Sequence, residues 1–136
     1  MGRKLAIDFG LKRTGVAISD EMNIIASGLC TVDSRELMSF LQKTVPEKNI
    51  DTLVIGEPKK LNGEDGHITQ NVRYLKEDLE KNFPDLQIVL IDERFTSKMA
   101  FQSMIDGGLS KKQRQNKALI DEISATIILQ SYMSQL

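Results

Sequence analysis

The sequence predicts an α/β fold, a mixed five-stranded sheet with helices on both faces, from three observations. Residues 3–9 alternate between two faces at period two, the mark of a strand, and two further strand-like segments follow at hairpin spacing. After residue 33 the apolar spacing switches between helical periodicity and short continuous apolar runs. The resulting order is βββαβαβαα: hairpin strands come first, then strand–helix–strand units whose right-handed crossovers make parallel strands.

Residues 3–9 put Leu5, Ile7 and Phe9 on one face and Lys4, Ala6 and Asp8 on the other. Gly10 to Gly15 read as a turn. Residues 14–19 and 24–32 read as two further strands, and the link at 20–23 is of hairpin length. Asp33, with Glu36 three residues on, forms a capping-box-like helix start. Leu37, Phe40, Leu41 and Val45 share a helical face, and Pro46 marks the end. Residues 52–56 are continuously apolar, as expected of a strand covered on both faces. A polar loop with Pro58, Gly63 and Gly66 leads to a second amphipathic helix marked by Ile68, Val72, Leu75 and Leu79. Residues 86–91 form another buried strand. Thr96 or Ser97 caps a helix carrying Met99, Phe101, Met104 and Ile105, which stops at Gly107-Gly108. A last helix runs from about 114 to 134.

The 136 residues, 40% hydrophobic and 27% charged, amount to a single domain over 1–136. One cysteine, Cys30, rules out an internal disulfide, and one histidine, His67, rules out a His-Cys zinc cluster or a His-based triad. The longest apolar runs, such as Ile88-Val89-Leu90-Ile91, fall far short of the roughly 18–20 residues of a membrane span. The N-terminus runs directly into a strand with no signal-peptide pattern. A cytoplasmic location and no membrane partner are therefore expected. The net charge of -1 is unevenly spread: within residues 94–117, Arg94, Lys98, Lys111, Lys112, Arg114 and Lys117 stand against Asp106 alone. Such a basic stretch fits a polyanion contact, or simply a solvated face.

Three acids stand out. Asp8 lies near the end of the first strand, where aspartate is disfavoured and a buried carboxylate needs a partner or a metal. Glycines and Lys12-Arg13 follow it, suited to close approach by a phosphate; an ordinary turn cap explains the aspartate equally well. Asp92-Glu93-Arg94 directly follows the second parallel strand, the place where ligands of open α/β sheets collect, although a local acid–arginine pair would serve too. Asp121 shares a helical stripe with Ala125 and Ile128 and so is expected to point toward the sheet, with Ser124 and Ala125 allowing close approach. The other choice puts Asp121 in solvent beside Glu122. Three carboxylates gathered in one place repel unless a cation neutralises them. Oxygen-only ligands suit Mg²⁺ or Mn²⁺, and cations so held are common machinery for cutting phosphodiesters with activated water.

The segments Asp8-Phe9-Gly10-Leu11-Lys12-Arg13-Thr14-Gly15-Val16-Ala17, Ile55-Gly56-Glu57-Pro58, Asp92-Glu93-Arg94-Phe95-Thr96, Asp121-Glu122-Ile123-Ser124-Ala125 and Ile128-Leu129-Gln130-Ser131-Tyr132 resemble the YqgF family, also called RuvX, along essentially the whole chain. The element order also matches the ribonuclease H-like arrangement. The resemblance implies that fold and a nuclease assigned to processing the 5′ end of pre-16S ribosomal RNA, earlier described as a Holliday junction resolvase. It places the family's acids on Asp8, Glu93 and Asp121, as catalytic residues and metal ligands. Glu57 departs from the pattern, since the family usually has an apolar residue there. It is either a fourth ligand or a loop glutamate pairing Lys59 or Lys60.

Two other function classes share parts of this pattern. Phosphotransferases of the actin and sugar-kinase type also have an Asp-x-Gly turn after a strand, but they need two such domains and this chain supplies one. A non-catalytic nucleic-acid or ribosome-assembly module would keep the fold, but acids at all three positions argue against it. Resolving a four-way junction takes two symmetric cuts and a two-fold dimer. With no heptad run and only 5% aromatics, a monomer is expected, or at most a weak dimer. The favoured partner is an rRNA precursor, with branched DNA second. Its backbone would be gripped by Lys12, Arg13, Arg94, Lys111, Lys112, Arg114 and Lys117.

Overall fold

The computed structural model of the chain describes residues 2–57, 67–92 and 116–135. Its elements are β1 (Arg3–Phe9), β2 (Arg13–Ser19), β3 (Ala26–Asp33), a short 3-10 turn (Ser34–Glu36), α1 (Leu37–Glu47), β4 (Ile50–Glu57), α2 (His67–Asn82), β5 (Gln87–Asp92) and α3 (Lys117–Met133). The sheet order is β3-β2-β1-β4-β5. The β1–β2 and β2–β3 pairs are antiparallel, and β1–β4 and β4–β5 are parallel. This is the mixed five-stranded sheet expected from the alternation of hairpins and crossovers. The helix expected near 97–105 and the loop with Pro58, Gly63 and Gly66 lie outside the described residues.

Period-two alternation sorts the strand residues between two unlike faces. Leu5 and Ile7 of β1, Val16 of β2 and Leu53 and Ile55 of β4 pack with Leu37 and Leu41 of α1 and Val72 and Leu79 of α2. On the other face Ala6, Ala17 and Val54 meet Ala125, Ile128 and Leu129 of α3. The first face is filled by large side chains. The second is thin, so α3 lies close to the sheet.

Four expected boundaries shift, each for a local reason. Ile24 and Ile25 are not in β3: the Asp20 carboxylate accepts their backbone N–H groups at 2.7 and 2.9 Å. Asn23 turns through φ 56°, and the link widens to close on an Asp20 N–H to Ile25 carbonyl bond of 3.1 Å. Met22, Ile24 and Ile25 are left 74%, 71% and 60% exposed. Pro46 does not end α1 but sits in its last turn, which closes by Lys48 N–H to the Thr44 carbonyl at 2.9 Å; Asn49, at φ 55°, then redirects the chain. The capping box is replaced by a tighter turn. Asp33 accepts the Arg35 N–H at 2.9 Å, and the Arg35 guanidinium grips the same carboxylate, holding it down at about 2. At the far end α3 starts at Lys117 because the Asn116 side chain caps the Leu119 N–H at 3.2 Å. No described helix is long and apolar enough to cross a membrane.

The amino end of β1 is pinned by a charge. Lys4 is 8% exposed, and its Nζ donates to Asp51 Oδ1 at 2.7 Å. Partial burial raises the Asp51 carboxyl, but hydrogen bonds from Lys4, Thr52 and the Gly2 N–H outweigh it and leave the group below its ordinary value. A depressed carboxyl stabilises the fold above the ordinary carboxylate range and loses that contribution as pH falls through its folded value. Asp51→Asn should therefore cost about 1–2 kcal/mol at pH 7, a figure kept small because Asp51 is nearly half exposed and its charge is screened. Urea unfolding at pH 7 and pH 3 checks this: the gap between variant and wild type should narrow at the lower pH.

Candidate active site

The carboxyl ends of β1, β4 and β5 lie along one edge of the sheet because the three strands are parallel. Asp8 is the penultimate residue of β1. It follows Ala6 by two positions and so shares the face that α3 covers. Its partner across the ladder is Gly15 of β2. A Cβ built on Gly15 would stand 2.0 Å from the Asp121 carbonyl oxygen and 2.9 Å from the Asp121 Cβ. The backbone of α3 therefore rests directly on β2 at Gly15, and Asp121 comes to the strand position paired with Asp8. Gly28 of β3 repeats the arrangement more loosely, with Glu122 Cβ at 3.4 Å. Thr31 ties the start of the helix down by donating to the Ala118 carbonyl at 2.7 Å.

Asp121 faces the sheet, with its side chain 20% exposed, and accepts a hydrogen bond from Arg13 Nε at 2.9 Å. Sequence reasoning gave Arg13 to the nucleic-acid backbone, and this contact with an acid of the site was not foreseen. The glycine reading also changes: buried Gly15 lies under a helix and is not open to a phosphate. The turn before it stands at the rim, with Leu11 67% exposed and Lys12 exposed. Ser34, unmarked by any sequence signal, holds that turn: its N–H donates to the Lys12 carbonyl at 3.0 Å, and its hydroxyl contacts the Gly10 carbonyl and Thr14.

Glu57 belongs elsewhere. It follows Leu53 and Ile55 at period two and so shares the face of α1 and α2, opposite Asp8. Its carboxylate accepts from Arg73 Nη2 of α2 at 3.2 Å, a partner that neither sequence reading named. Asp92 closes β5 in register with Glu57. Glu93, Arg94, Lys111, Lys112 and Arg114 lie outside the described residues; of Lys117 only the backbone, at the start of α3, is described. Cys30 sits on β3, where burial and the nearby Glu122 charge push its thiol up, away from reactivity.

Among the described residues no group of three or more His, Cys, Asp or Glu side chains is placed to hold a metal ion. The described pair, Asp8 and Asp121, offers hard oxygen donors with no imidazole or thiolate, which fits Mg²⁺ or Mn²⁺ and not zinc. Glu93, outside the described residues, directly follows the last residue of β5 in sequence.

A sheet of this order, with α1 and α2 on one face and α3 over the strand bearing Asp8, defines the ribonuclease H-like class. Two structures of Thermus thermophilus RuvC share it. One, in complex with a Holliday junction substrate, has a TM-score of 0.57 at 13% identity, covering 99% of this chain and 96% of that one. The other has a TM-score of 0.57 at 10% identity, covering 98% and 95%. The chain belongs to the RuvX family, described as Holliday junction resolvase, whose pattern matches residues 2–135. A Flavobacterium psychrophilum protein named "Putative pre-16S rRNA nuclease" is 56% identical over 99% of this chain and 98% of its own. A Bacteroides fragilis protein of the same name is 50% identical over 98% and 96%.

Two outcomes follow from this geometry. Gly15→Ala should destabilise the protein by about 1–3 kcal/mol or more, because the obstacle is helix backbone and not a flexible side chain. Chemical denaturation measures the cost. Glu57→Leu, by contrast, should leave divalent-cation affinity unchanged in calorimetric titration and lose no more than about 1 kcal/mol of stability.

Proposed function

We propose that this chain, acting as a single domain, is a metal-dependent nuclease that trims the 5′ end of the 16S ribosomal RNA precursor. Asp8, Glu93 and Asp121 would hold Mg²⁺ or Mn²⁺. Lys12, Arg94, Lys111, Lys112, Arg114 and Lys117 would grip the RNA backbone, together with Arg13. The observation that carries this reading is the seating of Asp121 on Gly15, the ladder partner of Asp8. Two carboxylates from distant parts of the chain are thereby brought to one strand position at the sheet edge where ligands of such folds collect. Holding like charges together costs stability, and a cation offsets that cost.

A bound divalent cation would neutralise phosphate charge and activate water. The chain's own share is placement. Gly15 and Thr31 fix the height and start of α3, Ser34 fixes the Gly10–Lys12 turn, and exposed Lys12 at the rim is available to a phosphate. RNA is favoured over branched DNA because the near-full-length relatives, at 46–56% identity, carry the pre-16S rRNA name. A cytoplasmic monomer is sufficient for such trimming, since one cut needs one site.

In Mg²⁺ buffer, the protein should cleave a pre-16S rRNA fragment and leave single-stranded DNA and a four-way DNA junction largely intact. Asp8→Asn, Glu93→Gln and Asp121→Asn should each lower cleavage at least about a hundredfold while circular dichroism stays native. Paired nicks across the junction, with a dimer in sedimentation, would replace RNA trimming by the resolvase reading. Wild-type turnover in one of the variants would remove that acid from the site.

A further inference from the structure

The Arg13–Asp121 contact joins a residue expected to hold substrate to a residue expected to hold metal. Arg13 opens β2, and Asp121 stands early in α3, 108 residues away in sequence. The bond is made by Nε alone, to Oδ2 alone, at 2.9 Å. The Nη1 and Nη2 groups make no hydrogen bond among the described residues, so the outer edge of the guanidinium is available to a second anion. The Arg13 side chain is 42% exposed, against 20% for Asp121, so the arginine reaches from solvent over the acid. A half-exposed ion pair made through one N–H is weak enough to exchange partners.

We propose that Arg13 is the internal counter-cation of Asp121, and that its transfer to a substrate phosphate couples nucleic-acid binding to metal binding. Without substrate, Arg13 neutralises Asp121 and offsets the repulsion between Asp121 and Asp8. The same positive charge disfavours a divalent cation at those carboxylates. When a phosphate of the nucleic acid draws the guanidinium outward, Asp121 loses that competitor and its affinity for the cation rises. By thermodynamic linkage, the cation then raises affinity for the nucleic acid by the same factor. Arg13 acts through Asp121 and is a positioning residue. The inference rests on the reading of Asp121 as a metal ligand.

Mn²⁺ binding, followed by the electron paramagnetic resonance of the free ion, tests it without cleavage. Titrations would be made with and without a 2′-O-methyl phosphorothioate RNA that resists hydrolysis. Wild type should bind Mn²⁺ about fivefold more tightly, or better, when the RNA is present. Arg13→Gln should bind Mn²⁺ more tightly than wild type in the absence of RNA, and the gain from RNA should shrink. Arg13→Lys, which keeps the charge on a mobile stem, should fall between them and guards against a folding defect in the first variant. Equal Mn²⁺ affinity in wild type and Arg13→Gln, with the RNA effect unchanged, would overturn the inference. Asp121→Asn separates the two layers. If that variant binds Mn²⁺ as wild type does, the metal-ligand reading itself fails; if it loses Mn²⁺ while Arg13→Gln changes nothing, only the coupling fails.

Discussion

Asp121 can reach the strand position paired with Asp8 only because residue 15 has no side chain. The distance from a notional Cβ to the helix carbonyl, 2.0 Å, is far inside any permitted contact, and the obstructing atom is backbone that cannot rotate away. Everything around this point serves the same approach. Ala6, Ala17 and Ala125 keep the interface thin, and Thr31 clamps the first turn of α3. Asn116 caps the helix so that its register begins where Asp121 falls one turn before Ala125. Among the described residues, the site is thus a product of helix–sheet distance.

That constraint explains which parts of the molecule were legible in the sequence. Period-two alternation over residues 3–9 identified β1 and put Asp8 on one face with Ala6, and the stripe of Asp121, Ala125 and Ile128 turned the last helix toward the sheet. Both facts are local and periodic. The pairing of Asp8 with Gly15 and the seating of Asp121 on Gly15 are register facts between separate elements, which composition and period do not encode. Hence Gly15 read as a phosphate-loop glycine, and the contact of Arg13 with Asp121 did not show. Glu57 was a different case: its face was available from alternation with Leu53 and Ile55, but residues 52–56 are so evenly apolar that no polar face showed through. Ile24 and Ile25 look like strand residues by type. The side chain of Asp20, which takes their N–H groups, overrides that preference.

The same geometry decides where charge goes. Asp8 and Asp121 lie on the thin side of the sheet, where α3 is the one helix among the described residues. Glu57 lies on the thick side and is held by Arg73. Glu57 thus has its own partner on the face opposite Asp8 and Asp121. Among the described residues the nearby cations on the thin side are Arg13, the first residue of β2, by contact, and Lys12 at the rim, in the turn that Ser34 anchors.

The two faces also divide stability from chemistry. The side bearing α1 and α2 buries Leu5, Ile7, Leu37, Leu41, Leu53, Ile55 and Leu79, each a large apolar side chain worth about 1.5–3 kcal/mol on transfer from water. The side bearing α3 buries Ala6, Ala17, Ala125 and Gly15 beside Val54, Ile128 and Leu129, and among the described residues it buries fewer large apolar side chains. A site that needs backbone-to-backbone contact must give up side-chain volume where that contact occurs. Stability lost there has to be made good on the opposite face of the same sheet, by residues remote from the chemistry. The large-residue core beneath β1 and β4 is what lets the strand carrying Asp8 stay fixed while its other face holds small residues and charge.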